Sequence, residues 1–287
     1  MTDFEEMRIL DNFYQTSSFF PMPVVLVGTL SESGQTNLGP YSLCFPHIIA
    51  EDNEWAMMLI TRKDSNTAEN IKRTKVCSIN FIPDDQKFME NCVLLGFPGE
   101  TTEEKMNDSI FTLVPSRRNG NGGMKYPDLV GEALQVFECT WDDSFNHRLV
   151  EPSDNFVLRI EKILLKKPYR DAIIQGVNKK SFPPLPIDYG FRDNYQFWFT
   201  KSAKPYSIPI PASKGVEAQH VLFAARRIEP DIIWEEAAAA KIAGVPRIFL
   251  NRVIKGVIDA AKEDGLTVIT PEFMDKVRDK RNQEKTN

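Results

Sequence analysis

The sequence predicts a mainly β protein, a barrel or a sandwich, followed by a small all-α segment at its C-terminus. Three observations carry this reading. Before about residue 200, strand-length runs rich in β-branched and aromatic residues alternate with turn signals. From about residue 230 the chain becomes alanine-rich, with apolar positions at helical spacing. Between them, residues 201–229 contain Pro205, Pro209 and Pro211 and read as an extended connector. The expected organisation is therefore a β domain over 1–200, a linker over 201–229 and a helical domain over 230–287.

Taken in order, Val24 to Leu30 is a strand that runs into Ser33-Gly34, a hairpin-type turn. Further extended segments are Asn37 to Phe45, Trp55 to Thr61, Val76 to Ile82, Gly131 to Trp141 and Phe156 to Leu165. One early helix, Asn66 to Arg73, follows the Trp55–Thr61 strand directly, with Ser65, Asn66 or Thr67 as its cap. Residues 116–126 (SRRNGNGGMKY) form a glycine-rich loop or flap. In the C-terminal part, Trp234 to Ile242 is a strong helix former, broken at Gly244-Val245-Pro246. Pro246 to Glu263 then places Ile248, Val253, Val257 and Ala260 or Ala261 on one helix face, with Gly265 as C-cap. Thr270-Pro271-Glu272 is a helix start: a cap, a proline at the first position and an acid in the first turn. The end is expected to fray from about Arg281.

The composition excludes several classes. The chain has 287 residues, 42% apolar and 26% charged, enough for a core without staples. A net charge of -5 advertises no basic surface, so neither nucleic acid nor an anionic membrane is the expected partner. The acidic start MTDFEEMRIL is no export signal, and apolar runs such as Val24–Val27 are strand-sized. The expected location is the cytoplasm. Cys44, Cys77, Cys92 and Cys139 are scattered, and His47, His147 and His220 have no recognisable partners, so no metal site is expected. Three of the cysteines sit in apolar contexts and read as small core residues. No serine has a His/Asp pattern near it, which leaves a hydrolase triad unsupported. Aromatics at Phe19-Phe20 and Tyr195 to Phe199 read as packing, and Lys179-Lys180 and Arg226-Arg227 as solvated charge.

The informative stretch is residues 21–82. Thr61-Arg62-Lys63-Asp64-Ser65 is a polar, partly cationic loop that opens onto a helix. A helix N-terminus offers unpaired N–H groups and the positive end of its dipole. Arg62 and Lys63 add charge, and Ser65 and Thr67 add hydroxyls, which makes a competent phosphate site. Upstream, Asn37-Leu38-Gly39-Pro40-Tyr41-Ser42 is a strand with a Gly-Pro kink, whose backbone groups can meet the polar edge of a flat heterocycle. By composition alone, an ordinary capped strand–helix junction is the commoner reading.

The order of these segments resembles the flavin reductase-like FMN-binding family. Pro21 and Pro23 lead into the first strand, Asn37 to Ser42 follows, and Arg62 to Ile71 comes third at similar spacing. Phe111 to Ser116 resembles the family's flap, and Pro127, Glu132-Ala133 and Phe137-Glu138-Cys139 its following strand. The resemblance covers about residues 15–200 and implies an antiparallel, Greek-key split β-barrel that binds FMN. It places the FMN phosphate on Arg62, Lys63, Ser65 and Thr67, with Thr61 at the start of that loop. Tyr41, Ser42 and Leu43 would line the isoalloxazine and ribityl chain, largely through backbone. It also implies a homodimer, and an oxidoreductase that accepts hydride from NADH or NADPH and employs no acid–base pair. The alternatives within the fold are a flavoredoxin-like electron carrier reduced by a protein partner and a redox-inactive flavin-binding module. One departure stands out: the family's Gly-Asp-His-like stretch corresponds to Glu151-Pro152-Ser153-Asp154-Asn155, with His147 displaced upstream, which puts a role for that histidine in doubt. The segment from Ile233 to Arg278 resembles the small C-terminal domain of light-independent protochlorophyllide reductase. That likeness implies a compact helical module without catalysis of its own.

Overall fold

The computed structural model describes residues 4–51, 54–119, 124–145, 153–175, 182–192, 195–206, 216–245 and 247–284. The chain packs as two compact units, 1–169 with 182–204, and 170–181 with 205–287.

The first unit begins with α1 (Phe13–Thr16), β1 (Met22–Pro23), β2 (Val25–Leu30), β3 (Thr36–Tyr41), β4 (Cys44–Glu51) and β5 (Glu54–Arg62). It continues through α2 (Asn66–Thr74), β6 (Val76–Phe81), α3 (Gln86–Leu95), α4 (Thr102–Asn107), β7 (Leu113–Val114) and β8 (Leu129–Val130). Two long strands follow, β9 (Gln135–Asp142) and β10 (Ser153–Leu165), and then α5 (Lys167–Gln175), within which the division between the units falls. The unit is completed by β11 (Ile187–Arg192) and β12 (Phe197–Thr200), which form a small sheet with β1.

The main sheet has seven strands in the order β3-β2-β6-β9-β10-β5-β4, and each neighbouring pair is antiparallel. Its two edge strands, β3 and β4, are consecutive in sequence and separated only by Ser42 and Leu43. Laid flat, six steps of about 4.8 Å would hold those edges ~29 Å apart. The chain from Tyr41 to Cys44 can span at most ~10 Å. The sheet must therefore curl until its edges meet, and the seam of this near-closed barrel is the Ser42–Leu43 corner.

Alternation along the strands sorts side chains into two cores. Val25 and Val27 face inward with Leu59, Cys77, Ile79, Cys139, Phe156 and Leu158, and α2 plugs this interior with Ala68 and Ile71. Leu26, Leu38 and Val136 face the other way, onto Phe88, Met89, Cys92 and Leu95 of α3. β2 is thus buried along its whole length, which is why it reads as an apolar run without alternation. All four cysteines are free thiols in these cores. Among the described residues no helix is long and apolar enough to cross a membrane.

The second unit holds α6 (Val216–Ile228), β13 (Ile233–Trp234), α7 (Glu236–Ala240), α8 (Arg247–Glu263), β14 (Val268–Ile269) and α9 (Pro271–Glu284). Its core gathers Val221, Ala225, Trp234, Ile254, Val257, Ile269 and Phe273. Three expectations are corrected here. The 201–229 linker is not extended to its end: from Val216 it is helix α6, because VEAQHVLFAARRI is free of Pro and Gly and sets Val221 and Ala225 into the helical core. The Trp234–Ile242 helix starts only at Glu236, since Trp234 pairs with Ile269 in a short parallel ladder. The Asn37–Phe45 strand is broken at the seam. Gly265 does adopt a left-handed φ of 68° after α8, and Thr270 caps α9 through a 3.3 Å bond to Phe273 N. His147, Glu151-Pro152, Lys179-Lys180, Pro209, Pro211 and Pro246 lie outside the described residues.

Candidate functional site

The residues singled out from the sequence converge on the seam. Tyr41 ends β3, Ser42 and Leu43 turn the corner, and Thr61 and Arg62 end β5 beside it. The corner is stitched to β5 by a 3.0 Å bond from Ile60 N to Leu43 O, and Cys44 N donates to Ser42 O at 2.9 Å. These bonds fix the backbone of all three corner residues, each of them half-buried.

From Arg62 the chain turns sharply into α2. Asp64 takes a left-handed φ of 59°, a conformation that its short polar side chain tolerates, and Ser65 N closes the turn onto Arg62 O at 3.3 Å. Ser65 is the N-cap: its hydroxyl accepts from Ala68 N at 3.2 Å. That leaves the N–H groups of Asn66 and Thr67 without an intrahelical acceptor by helix geometry. Arg62 and Lys63 flank this end and are exposed. Loop, cap and cations thus form an anion-binding helix start.

Thr61 and Thr67 point elsewhere. Thr61 is buried, and its hydroxyl donates to Asp154 O on β10 at 3.4 Å. Thr67 is buried against β3: a Cβ added to Gly39 would stand 2.6 Å from Thr67 Oγ1. Both hydroxyls therefore face protein, and only the Thr67 backbone is presented at the helix start. The phenol of Tyr41 is drawn toward Thr67 and Ser65. Burial raises its pKa above the ordinary phenol value, against the lowering effects of those hydroxyls and of the Arg62 charge.

A buried polar network mounts α2 on the sheet. Asn70 Nδ2 donates to Thr29 Oγ1 at 3.1 Å, Asn37 Nδ2 to the same oxygen at 3.4 Å, and Thr102 Oγ1 reaches Asn37 Oδ1 at 3.5 Å. Arg73 bonds both Leu30 O and Asn70 Oδ1. On the far side, Lys72 pairs with Asp154 at 2.8 Å. The asparagines in the two motif-like segments are thus positioning residues that hold helix and strand in register.

The segment between α3 and α4 wraps the same helix start. Arg62 Nη2 donates to Gly96 O at 3.0 Å, and Asn66 Nδ2 to Glu100 O at 2.9 Å. This brings in Lys105 of α4, a residue that sequence reasoning missed. Lys105 is 7% exposed, and the charges of Arg62 and Glu100 both act on it. Burial first, then the neighbouring Arg62 charge, pushes its pKa down to about 8, with Glu100 opposing. A signal for α4 was present: Thr101 to Glu104 forms a capping box with both reciprocal bonds.

The chain matches no family model and no curated protein. Solved structures do share its fold. Flavoredoxin from Methanosarcina acetivorans is 15% identical, covers 74% of this chain and 99% of its own, and superposes with a TM-score of 0.50. The 2-nitrobenzoate 2-nitroreductase of Pseudomonas fluorescens is 18% identical over 68% of this chain and 88% of its own, with a TM-score of 0.51. Nitrilotriacetate monooxygenase component B from Bacillus cereus is 14% identical over 72% and 100%, with a TM-score of 0.50. The fold is the split β-barrel expected from the sequence, with helices added at the C-terminus.

Proposed function

We propose that the first unit holds FMN across the seam and serves as a flavin-dependent oxidoreductase. The observation that carries this reading is the meeting of two features at one place. A backbone corner at Tyr41–Leu43 suits the edge of a planar ring system, and a cation-flanked helix start at Arg62–Thr67 suits a phosphate. Arg62, Lys63, Ser65 and the N–H groups of Asn66 and Thr67 would hold the phosphate. Tyr41, Ser42 and Leu43 would line the ring and ribityl chain through backbone. Thr61 and the Thr67 hydroxyl act as internal supports. Bound FMN supplies the hydride- and electron-accepting chemistry, and the protein supplies orientation and charge.

A second copy of the chain completes the site in this reading. Phe45 and Ile49 on β4 and Trp55 on β5 are 39%, 67% and 51% exposed. That apolar edge beside the seam is the surface a homodimer would cover. For the C-terminal unit the proposed role is a compact helical module without chemistry of its own.

The donor is proposed to be NADH or NADPH. Anaerobic addition of either to the FMN-loaded protein tests it. Bleaching of the flavin band is the expected result. A flavin that stays oxidised with both, but is reduced by a protein donor, replaces this reading with a flavoredoxin-like carrier. A flavin that no donor reduces leaves a redox-inactive binding module.

A further inference from the structure

We propose that the outer face of α8 is a docking site for an acidic amphipathic helix of a partner protein. The site lies wholly on the second unit and is independent of the FMN reading.

One face of α8 builds the helical core, with Leu250, Ile254, Val257, Ile258 and Ala261 buried. The other face breaks three local rules of a solvated helix. Phe249 stands 43% exposed near its start. Gly256 sits in its interior, where only proline is a poorer helix former. Arg252 and Lys255, three residues apart and therefore neighbours on the helix surface, are like charges. Both are exposed, and neither is in an ion pair among the described residues. The acid one turn further on, Asp259, acts on Lys262 of the same helix. A face that departs from local preference in this way marks a functional surface.

These residues are contiguous. Phe249, Arg252, Val253, Lys255, Gly256 and Asp259 line a groove of about 480 Å³. Phe249 and Val253, four apart, form a short apolar stripe, and Arg252 and Lys255 set two cations beside it. Gly256 has no side chain to keep a partner's backbone away. The complement is a helix whose apolar stripe is edged by Asp or Glu. Its apolar side chains meet Phe249 and Val253, its carboxylates meet Arg252 and Lys255, and its backbone crosses at Gly256. A nucleic acid fits less well, because Asp259 sets a carboxylate in the groove and two cations neutralise few phosphates. In a chain of net charge -5, this local excess of positive charge orients an acidic partner onto one face.

The test is fluorescence anisotropy with a labelled synthetic helix of about 18 residues, built of Leu, Ala and Glu with Leu at i, i+4 spacing. A twin with Lys in place of Glu and a short DNA duplex are the comparisons. Each is titrated with full-length wild type, Gly256→Gln and the double variant Arg252→Glu/Lys255→Glu. Wild type is expected to bind the acidic helix at least about tenfold tighter than the basic one. Gly256→Gln, which fills the groove, weakens that binding by about tenfold or more. It melts no lower than wild type, because glutamine is the better helix former. Charge reversal exchanges the preference, so that the basic helix binds better. Should Gly256→Gln melt lower, the charge exchange decides alone. No preference for the acidic helix in wild type, or a preference that charge reversal leaves unchanged, overturns the assignment. Tighter binding of the DNA duplex overturns it in favour of a nucleic-acid surface. A wild-type dimer that Gly256→Gln dissociates in sedimentation, with no binding of the acidic helix, overturns it in favour of a second copy of the chain.

Discussion

Thr67 Oγ1 stands 2.6 Å from the point where a Cβ on Gly39 would lie, so the start of α2 rests directly on the backbone of β3. No real Cβ fits there, and Tyr41 Cε2 closes the space from the other side at 2.9 Å. Gly39→Ala must push the helix start off the strand. The expected cost is about 1–3 kcal/mol of stability, the usual range for overpacking, together with lower FMN affinity. Urea unfolding and flavin titration of the same variant measure both; an unchanged FMN affinity would separate the helix start from the site.

Thr29 offers one hydroxyl to two amides, those of Asn37 and Asn70. Thr29→Val keeps the shape and removes the acceptor. About 1–3 kcal/mol is expected for the buried donors left without a partner, read from denaturant midpoints at constant slope. Because Thr29 lies behind α2 and touches no proposed ligand contact, FMN binding should weaken only modestly.

Lys63→Ala combined with Thr67→Ala is expected to release FMN from a protein that still folds. Lys63 is exposed, and its charge adds to the helix start; Thr67 is buried and small, so its truncation opens little space. Far-ultraviolet circular dichroism should match wild type while the flavin band is lost on desalting. Retention of flavin at wild-type affinity would place the phosphate elsewhere.

Lys105 contributes stability to the unliganded protein as pH rises from about 8 toward the unfolded lysine pKa of about 10.4, while the buried thiols of Cys44, Cys92 and Cys139, whose pKa values burial raises, act in the opposite direction. Lys105 has its folded pKa pushed down to about 8, first by burial and then by Arg62. Across that window the Lys105 site binds more protons in the unfolded chain than in the folded one, so its own contribution to unfolding free energy rises with pH. Relative to Lys105→Met, wild type should gain melting temperature as pH rises across that window.

The two units should fail independently. Ile254 is fully buried in the helical core. Ile254→Ala is expected to cost the second unit about 2–5 kcal/mol without changing FMN affinity. A chain ending at residue 204 should likewise keep its flavin. The cut belongs there rather than at 230, because α6 carries Val221 and Ala225 into the helical core.

Much of the barrel was legible because its strands are apolar and bounded by turns. β2, β5, β6, β9 and β10 fall within a few residues of the runs that announce them. The seam was less legible: the Asn37–Phe45 run looks continuous, and only the sheet order shows that its halves lie on opposite edges. For the site, Arg62 to Thr67 was visible as a capped cationic loop. The wrap of Gly96 and Glu100 around that loop was not, because it is made by tertiary hydrogen bonds from Arg62 and Asn66. The division between Thr61 and Thr67 as supports and Ser65 as cap also depends on side-chain direction, which composition does not encode. In the connector, three prolines outweighed the helical run that follows them.

The central claim is that the seam binds FMN, and the most direct measurement is a visible absorbance titration of flavin-free protein with FMN, followed by desalting. A shifted flavin band that co-elutes at one FMN per chain, and that is lost in Lys63→Ala/Thr67→Ala, is the predicted result. Protein that elutes colourless, with the free-FMN spectrum unchanged at every concentration, would contradict it.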